Sequence, residues 1–124
     1  ALEINKFSKG KKQDRKNGPV YSVLQIGIDW PRAIIYDRIN ARVDSQIQKG
    51  LLDEIQSLIE KGYSPDLPSM SAIGVKELLP YFQKKMTLEE ARELLQRNTR
   101  AYARRQLTWF KKDKEIIWIS PPTC

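Results

Sequence analysis

At 124 residues and a net charge of +7, with 40% hydrophobic and 30% charged residues, the chain has the composition of one soluble globular piece at most. It contains no His and one Cys, which excludes imidazole–zinc sites, His-based acid–base catalysis and an internal disulfide. No apolar run reaches the roughly 18–20 residues that cross a bilayer and no secretory leader is visible, so a cytoplasmic protein without a membrane partner is expected.

The segment Ala1–Phe7 reads as the last turns of a helix, so the chain is expected to be the C-terminal part of something longer. Residues 8–19 are turn formers and charges, a basic loop. Val20 to Ile28 is β-rich with partial alternation and predicts a strand. Asp29 is the expected N-cap, with Pro31 in the first turn, of a helix running to about Gln48 on the stripe Ile35, Ile39, Val43 and Ile47. Lys49-Gly50 is expected to break it, and Leu51 to Lys61 forms a second helix closed by Gly62. Tyr63 to Ser71 is a proline-bearing connector, followed by a short helix over 75–82 with Pro80 near its end. Thr87 and Glu90 form a capping box for a long helix to about Lys111, acidic at its start and basic at its end, as the macrodipole favours. Glu115 to Ile119 is a final strand. The expected class is an α/β fragment, mostly helical: strand 20–28, helical region 29–111, strand 115–119. Two strands alone are marginal, so they are expected to complete a larger sheet.

Charge is unevenly spread. Residues 1–19 hold six Lys/Arg against two Asp/Glu, and residues 75–114 hold eleven against five. Such blocks suit a polyanion, and a solvated lysine-rich surface equally well. The densest stretch is residues 97–112. On a helix, Arg97, Arg100 and Arg104 share a face, and Arg105, Gln106 and Thr108 follow before Trp109, Phe110, Lys111 and Lys112. Guanidinium groups grip phosphates in bidentate fashion, Gln and Thr reach bases or backbone, and an aromatic pair can stack or anchor; together they point to RNA. Trp109 fits a seven-residue stripe with Leu95 and Tyr102, which favours a core position over stacking, while Phe110 can cover the following strand.

Arg38 and Arg42, four apart, could jointly hold a diphosphate, although pairing with Asp37, Asp44 or a neighbouring helix is the favoured alternative. In Ser71-Ala72-Ile73-Gly74-Val75-Lys76-Glu77 a loop enters a helix, where free amides could meet a phosphate; an ordinary helix entry is as good a reading. No Gly-x-x-x-x-Gly-Lys-Ser/Thr, Gly-x-Gly-x-x-Gly or Gly-x-Ser-x-Gly motif occurs, so nothing here cradles a nucleotide triphosphate.

These residues resemble a known family. Arg104-Arg105-Gln106-Leu107-Thr108-Trp109-Phe110-Lys111 is similar to the Lys/Arg-Arg-Gln-Leu/Ile-Thr-Trp-Phe/Leu-Arg signature of tRNA dimethylallyltransferases, or tRNA isopentenyltransferases. Thr99-Arg100-x-Tyr102-Ala103, Ala72-Ile73-Gly74-Val75-Lys76-Glu77, the Arg32 to Asp44 run, Gly50-Leu51-Leu52-x-Glu54 and Ala1-Leu2-Glu3-Ile4 resemble further segments. Essentially the whole chain is covered.

The resemblance implies transfer of a dimethylallyl group from dimethylallyl diphosphate to N6 of the adenosine 3′ of the anticodon. It also implies an ATP-binding-type P-loop core with a helical insertion, Mg²⁺, and a monomer. Ser71, Ala72, Ile73, Gly74, Val75 and Lys76 would contact the tRNA anticodon stem-loop. So would Arg100, Arg104, Arg105, Gln106, Leu107, Thr108, Trp109, Phe110 and Lys111. Arg42, more than Arg38, would hold the leaving diphosphate. Val75 stands where the family has Tyr, removing a ring and hydroxyl from a turn expected to face RNA. The family's P-loop and catalytic aspartate have no counterpart in this sequence, so no catalytic residue, no bound cofactor and no activity are expected of this chain alone. Copies are expected to associate through exposed strands. The alternatives are a stand-alone basic helical module for RNA or DNA and a helical domain for an acidic protein partner.

Overall fold

The computed structural model describes residues 20–122. The helix end and basic loop expected in residues 1–19 lie outside the described residues. Strand β1 (Gln25–Ile28) leads into α1 (Arg32–Gln46), a π-helical turn (Ile47–Leu51) and α2 (Leu52–Glu60). A 3₁₀ turn (Pro68–Ser71), α3 (Val75–Phe82), α4 (Leu88–Phe110) and β2 (Ile116–Ile119) complete the order.

Helix α4 begins where its capping box puts it. The Glu90 amide donates to Thr87 Oγ1 at 3.2 Å, and the Thr87 amide donates back to Glu90 Oε2 at 2.7 Å. Arg104 and Arg105 lie a turn inside its end, and Lys111 and Lys112 follow it, so the last turn itself carries no cation.

Asp29 does not cap α1. Its amide donates to the Ile119 carbonyl at 2.8 Å, extending the strand pair, and Pro31 takes the N-cap position with no side-chain cap. The reason is local: a residue before proline favours extended backbone, so Trp30 and Pro31 carry Asp29 out of reach of the helix's free amides. The expected break at Lys49-Gly50 is present as a kink between the two helices, with Gly50 at φ +105° as its one non-helical residue. Strand β1 is four residues long rather than nine because β2 offers only four partners, in parallel register from Gln25↔Ile116 to Ile28↔Ile119.

Helices α1 and α4 pack antiparallel: Asp44 meets Arg92, and Asn40 meets Gln96 and then Arg100. Beneath them Val43, Ile55, Met70, Leu78, Leu79, Ala91 and Leu95 form the core, with Val75, Tyr81 and Phe82 packed against it. The sheet sits at the other end of α4. One of its faces, with Gly27, Ile116 and Trp118, turns toward Leu107 and Phe110. Ile26, Ile28, Ile117 and Ile119 alternate onto the opposite face, each about half exposed.

Candidate nucleic-acid interface

The C-terminal half of α4 carries the densest cationic surface among the described residues. Arg104 and Arg105 are exposed, and neither has a carboxylate partner among those residues. With Thr108 and Trp109 they line an open groove of about 520 Å³. Thr108 Oγ1 donates to the Arg104 carbonyl at 2.9 Å, which leaves its lone pairs facing out. Arg105 lies 6.0 Å from the Tyr102 ring centroid, a weak cation–π contact that tethers its stem.

Trp109 is not a core residue. It is 74% exposed and its ring runs nearly parallel to Phe110, with centroids 6.1 Å apart. The stripe from Leu95 through Tyr102 does not continue inward, because α1 begins at Arg32 and beside Trp109 supplies that arginine rather than an apolar side chain.

 Leu95 itself is 1% exposed and Tyr102 already 52%. Phe110, by contrast, lies over the strands beside Leu107 and Gln106. Arg100 leaves the shared face: half-buried, it donates from Nη1 to Asn40 Oδ1 at 2.7 Å, while Arg97 stays exposed. Lys111 is partly neutralised, with Nζ 3.5 Å from the Asp29 carboxylate and 5.6 Å from the Trp118 ring centroid.

The Ser71–Lys76 loop is an ordinary helix entry rather than an amide cradle. The Gly74 amide donates to Glu77 Oε2 at 2.8 Å, and the Val75 and Lys76 amides donate to the Ala72 carbonyl at 3.1 and 3.2 Å. The Gly74, Val75 and Lys76 amides are thus occupied within the turn. Ser71 Oγ likewise donates to the Pro68 carbonyl at 2.6 Å. Val75 packs its side chain on the core, so this position does not face outward as the sequence reading expected. Ala72, Ile73 and Lys76 remain exposed.

Two of the predicted segments do meet. Ile73 and Gly74 share a cleft of about 540 Å³ with Arg42, Tyr102 and Gln106, mostly apolar and bounded by α1 and α4. Arg38 and Arg42 together line a second open groove on α1 with Trp30, Ile35 and Ile39, and Arg38 Cζ lies 5.2 Å from the Trp30 ring centroid. The favoured pairing of Arg38 or Arg42 with Asp37 or Asp44 does not form among the described residues. Asp44 is instead taken by Arg92 at 2.6 Å, which also holds Glu89 at 2.7 Å. The hydrogen bond and charge of Arg92 hold the Glu89 carboxyl below its ordinary range, and these two carboxylates raise Arg92 in turn.

Glu77 went unnoticed in the sequence as a site residue. It is 1% exposed, and while Oε2 caps Gly74, Oε1 accepts from Asn98 Nδ2 at 2.9 Å. The signal was available: a Gly N-cap with Glu three residues on is half of a capping box. Among the described residues no three His, Cys, Asp or Glu side chains converge as a metal site, and no helix is long and apolar enough to cross a membrane.

Residues 1–113 match the protein-family model described as IPP transferase. The tRNA dimethylallyltransferase of Desulforudis audaxviator (strain MP104C) is 44% identical over 110 residues, 89% of this chain and 36% of that protein. The tRNA dimethylallyltransferase of Geobacter sulfurreducens is 50% identical over 102 residues, 82% of this chain and 33% of that one. The crystal structure of the full-length tRNA isopentenylpyrophosphate transferase from Bacillus halodurans superimposes with a TM-score of 0.77 at 41% identity, over 96% of this chain and 36% of that chain. A tRNA delta(2)-isopentenylpyrophosphate transferase from Staphylococcus epidermidis gives 0.75 at 44% identity, over 81% and 33%. The chain thus spans about a third of the length of the relatives it matches. Both its sequence and its mostly helical architecture with two parallel strands place it in one group: the chain belongs to the IPP transferase family.

Proposed function

We propose that this chain is the RNA-gripping part of a tRNA dimethylallyltransferase. Such an enzyme joins the allyl carbon of dimethylallyl diphosphate to N6 of the adenosine 3′ of the anticodon, as the carbon–oxygen bond to diphosphate breaks. The observation that carries this reading is the pair Arg104 and Arg105, exposed and without carboxylate partners among the described residues, in one groove with Trp109. Together they offer two forks for phosphates and a flat face for a base. Extruding the adenosine exposes it to stacking of this kind.

Arg42 serves a different task in this reading. Exposed at the edge of a mostly apolar cleft, its guanidinium is placed to meet the departing diphosphate and stabilise the charge that develops on it. No ligand set for the family's Mg²⁺ converges among the described residues, so no step is routed through the metal. The exposed four-isoleucine face supports a larger, P-loop-type core around β1 and β2, since parallel sheets are covered on both faces.

Fluorescence anisotropy with a labelled anticodon stem-loop tests the proposal. Arg104→Ala is expected to weaken binding by about tenfold at moderate salt, the scale of one charge-assisted contact. Unchanged affinity would remove α4 from the interface.

A further inference from the structure

The groove at the end of α4 has a second wall. Because α1 and α4 run antiparallel, Arg32, the first residue of α1, lies beside Arg104, Arg105 and Thr108, and Lys112 closes the far end. We propose that Arg32 and Lys112 complete a seat for the sugar–phosphate backbone of RNA, spanning the two helices. This rests on the reading that α4 meets RNA, and it adds a contact from α1.

Charge supports the inference first. Arg32, Arg104, Arg105 and Lys112 share one groove with no carboxylate in its lining, and none forms an ion pair among the described residues. Lys111, the cation next to Lys112, by contrast has an acid within 4 Å. Arg32 is also misplaced for its own helix: it occupies the positive end of the α1 dipole, whose first turn holds no acid. Four mutually repelling cations, one of them opposed by its helix, break a local rule in the way functional sites do. An anion between the two helices relieves both conflicts.

Shape and chemistry then select the anion. The groove is open and about 520 Å³, far larger than one phosphate ion needs, and Trp109 is part of its lining. A run of phosphates fits the spaced guanidinium forks, and the exposed indole gives an adjoining nucleoside a stacking face. An acidic peptide satisfies the charges but has no use for the indole.

The experiment uses the full chain, a labelled short RNA hairpin and a salt series. Arg32→Ala is expected to weaken binding by about tenfold and to lower the salt slope by about 1, equally for hairpins of unrelated sequence. Arg32→Gln, which keeps the side-chain length, should do the same with an unchanged Tm, and Lys112→Ala should follow the same pattern more weakly. Lys61→Ala, beyond α2 and outside the groove lining, should leave both quantities unchanged. If Arg104→Ala weakens binding while both Arg32 variants match the wild type, the two-helix seat is wrong and the α4 reading stands. If Arg104→Ala also has no effect, both fall. Equal affinity and slope with a poly-glutamate peptide would overturn the assignment to RNA.

Discussion

Glu77 shows how a single side chain ties the loop before α3 to α4. One carboxylate oxygen holds the Gly74 amide in the loop and the other holds Asn98 on α4, at 2.8 and 2.9 Å, in a site that water does not reach. Glu77→Ala leaves two buried donors unsatisfied, each costing about 1–3 kcal/mol. The expected loss in urea unfolding is therefore about 2–5 kcal/mol. Glu77→Gln keeps an acceptor for Gly74, and Asn98 can turn its amide to receive the new donor, so it should lose about 1 kcal/mol or less.

Glu89 gives a pH-dependent counterpart. Its folded carboxyl lies below the ordinary value of 4.5 because of Arg92, so ionisation favours the fold above that value. That contribution is lost as pH falls through the lowered value. Both groups meet solvent, so the effect is small and fades with salt. Glu89→Gln should lower stability slightly at neutral pH, where the ionised carboxylate contributes, and converge on the wild type well below pH 4.5, so that the curve between is flatter, read from thermal unfolding across pH.

Elements were legible where local chemistry decides them. The capping box at Thr87 and Glu90 locates α4, and the short helix over 75–82 was readable between Gly74 and the turn after Phe82. Elements were misread where a partner decides them. β1 stops at four residues because its neighbour does, and Asp29 joins the ladder instead of capping a helix. The cationic end of α4 was visible as a run of residues, whereas the loss of Arg100 to Asn40 and the exposure of Trp109 depend on how α1 lies along α4.

The sheet itself carries a tight contact. A Cβ on Gly27 would sit 2.7 Å from Trp118 Cε3, with the ring rather than a flexible chain end in the way. Gly27→Ala should therefore cost about 1–3 kcal/mol of overpacking and shift the near-ultraviolet circular dichroism of Trp118. A wild-type unfolding midpoint would mean that the ring does not cross β1.

At the scale of the whole molecule, the helical core and the sheet have different needs. The core around Val43, Leu78 and Leu95 is buried, while the isoleucine face of the strands is about half exposed. The family match covers residues 1–113, and the chain spans about a third of its relatives' length. The cationic groove is lined by residues of α1 and α4 and by Lys112, so the proposed reading predicts RNA binding by this chain alone. Its affinity should fall steeply as salt rises, because counterions are released from each phosphate it neutralises.

The most direct test is a residue-resolved map of the bound chain by nuclear magnetic resonance, titrating in an anticodon stem-loop. Signals of Arg104, Arg105 and the Trp109 indole should move most, with Ile73 following and α2 still. Changes confined to α2 and the connector after it, with the end of α4 unmoved, would contradict the account.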